Sequence, residues 1–90
     1  FEVMAFGEYI RQFRAGSRKY LRFSDVVNDE ETLKNDFDRE WLRQLRPPRA
    51  SGEDFKMFMG AGGTLTPVHV GFSGFLFVQI MGRKRWILYP

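Results

Sequence analysis

Gly60-Ala61-Gly62-Gly63-Thr64-Leu65-Thr66-Pro67-Val68-His69-Val70-Gly71, followed three residues later by Phe75-Leu76-Phe77-Val78-Gln79-Ile80-Met81-Gly82-Arg83-Lys84-Arg85-Trp86-Ile87-Leu88-Tyr89-Pro90, is the part of this chain whose reading decides the fold. It is rich in β-branched and aromatic residues and is punctuated by glycine, which predicts short strands separated by turns. Strands are expected over His69 to Phe72, Phe75 to Ile80 and Arg85 to Tyr89, with Met81-Gly82-Arg83 as a hairpin turn. Alternation along the last strand puts Lys84, Trp86 and Leu88 on one face and Arg83 and Arg85 on the other.

Upstream the period changes. Phe6, Tyr9, Ile10 and Phe13 recur at helical spacing ahead of Gly16, so residues 3–15 read as an amphipathic helix. Lys19 to Phe23 reads as a short strand, and Asn28 with Glu31 has the spacing of a capping box that would start a short helix. A further helix around Asp38 to Leu45 must stop before Pro47-Pro48. Arg46 to Glu53 is polar and reads as a connecting loop, and Phe55 to Met59 as another strand.

The composition, 43% hydrophobic, 17% aromatic and 28% charged over 90 residues, is that of a globular chain. Without cysteine there is neither a disulfide framework nor a thiolate metal site. The sequence contains no long uninterrupted apolar run of membrane-spanning length and no leader-like segment, so no membrane partner is expected, and the cytoplasm or nucleus is the expected location. The net charge of +3 gathers in Arg11 to Arg22, Arg43 to Arg49 and Arg83-Lys84-Arg85. Such clusters can attract acidic partners or nucleic acid, but an ordinary solvated surface is the reading that the base rate of charged surfaces favours. Gly60, Gly62 and Gly63 lack the Gly-Lys-Ser/Thr ending of a nucleotide-binding loop.

The stretch from Lys56 to Pro90 resembles the first half of the double-stranded β-helix of the Jumonji-C and cupin-like iron(II)/2-oxoglutarate oxygenases. That family carries a Thr-Pro-x-His-x-Asp segment, a strand, then Gly-x-Lys-Arg and an apolar strand ending in Pro. Thr66-Pro67-Val68-His69, Gly82-Arg83-Lys84-Arg85 and Pro90 match it, and Tyr20-Leu21 and Asp36 to Leu45 match more loosely upstream. The resemblance implies that His69 is a metal ligand, that Lys84 pairs with the distal carboxylate of 2-oxoglutarate, and that Thr66 and Tyr20 donate hydrogen bonds to it.

A His-x-Asp pair on a strand sends both side chains to one face, and a distant His completes the two-His-one-carboxylate site of non-haem iron. Gly71 stands where the Asp belongs, and from His69 to Phe75 the only side-chain oxygen is on Ser73. Three readings stay open: a binding module that has lost the iron, a two-His centre with an open position as in related halogenases, or an active member with an oxygen ligand from elsewhere. Phe75 also departs from the family, in which many members carry Asn there. Taken alone, His69 reads as a core histidine, Thr66 as an ordinary pre-proline residue, Tyr20 as a packed ring and Arg83-Lys84-Arg85 as a solvated hairpin end. Phe58, Phe75 and Phe77 read as core.

The expected fold is therefore α+β, mainly β after N-terminal helices: residues 1–46 a helical and strand lead-in, 47–53 a loop, and 54–90 the first strands of a cupin or jelly-roll β-helix. The 90 residues are expected to be the N-terminal part of one such domain, lacking its C-terminal half and the second His ligand, and inactive by themselves. Protein, RNA and small-molecule substrates, and oligomer formation, all remain open. An independent interaction domain is the alternative; it would unfold in one sharp transition, whereas open strand edges would leave a fragment loosely packed.

Overall fold

In the computed structural model, which describes residues 2–49, 52–71 and 74–90, the first ordered element is helix α1, Phe6–Arg14. The Phe6, Tyr9, Ile10 and Phe13 stripe turns inward, with Tyr9 buried. The helix closes by a Schellman arrangement: Gly16 N–H donates to the Phe13 carbonyl and Ser17 N–H to that of Gln12, both at 3.0 Å. Gly16 takes φ +94°, which a residue with a Cβ adopts only at a cost.

Strand β1, Leu21–Ser24, pairs antiparallel with β2, Met57–Met59, with Leu21 opposite Met59 and Ser24 opposite Met57. Three steps on β1 face two on β2, so one residue of β1 bulges. Phe23 sits there at φ +54°, and its ring lies edge-on to Phe58 at 4.9 Å. The Tyr9 hydroxyl lies 3.0 Å from the Lys19 carbonyl and 2.8 Å from that of Met59, sharing its proton between the chain entering β1 and the chain leaving β2.

Between the strands come α2 (Val26–Asp29), α3 (Glu31–Lys34) and α4 (Arg39–Gln44). The expected capping box is replaced by something else. Asn28 lies inside α2, and its amide bonds the backbone of Phe55, accepting from Phe55 N–H at 2.8 Å and donating to Phe55 C=O at 3.0 Å. An amide side chain presents the same donor and acceptor as a peptide group, and here it serves as a one-residue strand partner. The helix over α4 forms as expected: Asp38 caps it by accepting from Trp41 N–H at 2.9 Å, and it ends ahead of Pro47.

Ion pairs tie this segment together. Glu53 pairs with Arg39 at 2.5 Å and with Arg43 at 3.2 Å, and Lys56 bridges Asp25 and Asp54. The hydrogen bond from Arg39 holds Glu53 below the ordinary carboxylate range, and that from Lys56 does the same for Asp25. Glu8, bonded first by Arg11 and then by Gln12, is lowered from 4.5 to about 2.

The expected strands beyond residue 60 require correction. Among the described residues, those from 60 to 90 contain no strand; only the bend at Met81-Gly82, with Gly82 at φ +80°, matches the predicted hairpin. Phe72, in the first of these strands, lies outside the described residues. The physical reason is the lack of a partner: strand structure needs a neighbouring backbone, and here the apolar side chains stand in solvent, with Val70 79% and Leu88 82% exposed. Among the described residues the buried hydrophobic core is Tyr9 and Val27. The radius of gyration is 14.8 Å, above the roughly 12 Å of a compact domain this long.

Two outcomes follow for stability. Tyr9→Phe keeps the ring but strips two strand-end carbonyls of their donor, and is expected to cost about 1–2 kcal/mol in denaturant titration. Because Glu8, Asp25 and Glu53 have folded-state pKa values below their unfolded ones, their contribution is complete above the ordinary carboxylate range and is lost as pH falls through it. For Glu8 the window runs from 4.5 down to about 2. The thermal midpoint should fall on acidification across that window, and less steeply in Glu8→Gln.

Candidate functional site

Phe58, at the centre of β2, is where the candidate residues meet. Its side chain points to the face opposite Met57 and Met59. Tyr20, immediately before β1, packs on it with ring centroids 6.4 Å apart. The Lys84 ammonium lies 5.5 Å from the Phe58 centroid. That ammonium also lies 4.7 Å from the Phe77 ring and 4.6 Å from Trp86, and these two rings meet edge-on at 5.0 Å. Three aromatic faces thus surround one cation.

The backbone geometry behind this cluster is local. Phe77 and Trp86 each lie four positions from the Met81-Gly82 bend, the cross-strand relation of a two-residue hairpin, although no ladder forms between them. Lys84 and Trp86 share a side, as their i, i+2 spacing predicted. Tyr20 is held by the glycine turn: a Cβ on Gly60 would come within 2.9 Å of both Tyr20 Cδ2 and Thr64 Cγ2. Arg18 reaches the Gly62 carbonyl and fastens the same turn to the segment before β1.

Electrostatically the cluster is positive and uncompensated. Among the described residues no carboxylate lies within ion-pair distance of Lys84, and Arg83 and Arg85 flank it in sequence. The rings stabilise the ammonium without neutralising it, so its charge stays available to an anion.

The metal side is different. His69 is exposed, and its Nδ1 lies 2.9 Å from the Pro67 carbonyl. A carbonyl only accepts, so Nδ1 is the donor in this contact. Gly71 adds no donor, Ser73 lies outside the described residues, and among the described residues no three His, Cys, Asp or Glu side chains are grouped to hold a metal ion. One imidazole nitrogen does not make the two-His-one-carboxylate site of iron. Thr66 is half-buried, and among the described residues no hydrogen bond joins it to Tyr20 or Lys84.

The structure therefore gathers Tyr20 and Lys84 around Phe58 and leaves His69 and Thr66 outside that cluster. The sequence reading missed the part played by Phe58, Phe77 and Trp86 and treated the two phenylalanines as core. The equal distance of Phe77 and Trp86 from the predicted turn was the signal that could have found them. Among the described residues no helix is long and apolar enough to cross a membrane. A family model described as a cupin-like domain matches residues 1–90. No curated protein and no solved structure matches the chain.

Gly60→Ala should push the Tyr20 ring off its seat. The expected result is a loss of about 1–3 kcal/mol in stability and a shift of the Tyr20 ring resonances. Gly62, around which a Cβ would meet open space, is the control: Gly62→Ala should change neither.

Proposed function

The chain belongs to the cupin-like domain family, and from that premise we propose that it forms the cosubstrate-anchoring part of an oxygenase-type cupin, with Lys84 pairing with the distal carboxylate of 2-oxoglutarate. The observation that carries this reading is the unpaired Lys84 ammonium, held among rings of which Phe58 also touches Tyr20. A dicarboxylate's far end requires a cation that is not already neutralised, and aromatic walls suit its methylene chain. Tyr20 would add a hydroxyl donor, whereas Thr66 stands outside the cluster. When bound, 2-oxoglutarate supplies the electrons that dioxygen activation consumes in this class.

Iron is another matter. The donor set of His69 and Gly71 does not fit the metal, and no catalytic step is assigned to it here. This favours a second reading, a non-catalytic cupin module that binds a carboxylate ligand in the same place. The segment from Asp54 to Pro90 is taken, on either reading, as the first strands of a double-stranded β-helix. Support comes from its exposed apolar side chains, among them Leu65, Val68, Phe75 and Ile80, which need a second layer over them.

Calorimetry with the full-length protein tests the anchor: 2-oxoglutarate should bind, and Lys84→Met should weaken binding by about tenfold or more. Iron-dependent formation of succinate would favour the oxygenase, and retained binding without it the module. Absence of 2-oxoglutarate binding in the unaltered protein would overturn the anchoring role.

A further inference from the structure

We infer that Phe77 and Trp86, with Phe58 behind them, are positioning residues for Lys84: they fix the ammonium in place while leaving its charge unspent. The inference deepens the anchoring role proposed for Lys84 and, in its functional arm, rests on it. A lysine side chain has four rotatable carbon–carbon bonds and loses much rotamer freedom when fixed, so an exposed lysine is a poor anchor unless something holds it. The usual holder is a carboxylate, and a carboxylate would compete with an anionic ligand. Here the described residues offer none within ion-pair distance. They offer instead the faces of Trp86 at 4.6 Å, Phe77 at 4.7 Å and Phe58 at 5.5 Å.

Aromatic quadrupoles attract a cation without carrying net charge, so the ammonium keeps its full attraction for a carboxylate. The geometry also divides the labour. Phe77 and Trp86 meet edge-on at 5.0 Å, so each steadies the other, and Trp86 has the larger face. Phe58 also touches Tyr20, at 6.4 Å between ring centroids. The rings therefore define where a carboxylate can approach: from the side of the ammonium they leave open.

The test has two readouts in the full-length protein. The first needs no ligand: the ε-methylene protons of Lys84 should resonate upfield by ring current, and Trp86→Leu should move them toward the values of a free lysine, with Trp86→Phe in between. The second is calorimetric affinity for 2-oxoglutarate. Trp86→Leu should weaken it by about three- to tenfold, Trp86→Phe should restore most of the loss, and in a Lys84→Met background Trp86→Leu should have no further effect. Equal losses from Trp86→Leu with and without Lys84, or unshifted Lys84 methylene protons in the unaltered protein, would overturn the inference. An upfield shift in a protein that binds no 2-oxoglutarate would leave the positioning standing and remove the anchoring role instead.

Discussion

A single phenol proton holds the two strands to the first helix. Tyr9 is the most deeply buried residue among those described, at 3% exposure, and its hydroxyl is shared by the carbonyls of Lys19 and Met59. Those carbonyls lie where β1 is about to begin and where β2 ends. The helix thereby supplies a donor shared by both, a contact worth about 1 kcal/mol. The consequence reaches the candidate site directly: Tyr20 follows Lys19, and Phe58 precedes Met59. Fixing the two carbonyls fixes the two rings.

A second polar device closes the other end of the sheet. Asn28 bonds both backbone groups of Phe55, and Lys56 is drawn to Asp25 and Asp54, so the chain is aligned before β2 starts. Glu53 binds Arg39 and Arg43 and joins α4 to the same approach. With so little apolar burial, these polar contacts do more to set the register than the core does. Exposed ion pairs are individually weak, which is why they occur here as a connected set around Glu53 and Lys56.

The sequence announced the local elements well and the tertiary ones poorly. The stripe from Phe6 to Phe13, the stop at Gly16, the helix near Asp38 and the break before Pro47 are short-range signals that the structure follows, although α1 begins three residues later than expected. Asn28 misled, because its capping-box spacing with Glu31 is a local pattern, whereas its partner Phe55 is 27 residues away. The strands expected from Phe75 onward misled for a related reason: alternation shows which face of a strand would be buried, but a strand exists only when another backbone lies beside it. At the candidate site, spacing alone paired Lys84 with Trp86 and gave Phe58 to the core, since only the tertiary arrangement brings Phe58 beside the cation.

The contrast between the two halves of the site has a physical origin in how many distant parts each requires. The Lys84 cluster draws Phe77 and Trp86 from one bend and Phe58 from the small sheet already formed, so most of it is assembled by contacts close in sequence. A metal centre needs at least three donors converging within bonding distance, and each extra donor must come from a different stretch of chain. Gly71 offers no side-chain donor and among the described residues no three His, Cys, Asp or Glu side chains are grouped to hold a metal ion, while the loss of any one ring would leave two around the cation. A cation held by redundant weak ring contacts tolerates sequence change that a coordination site does not.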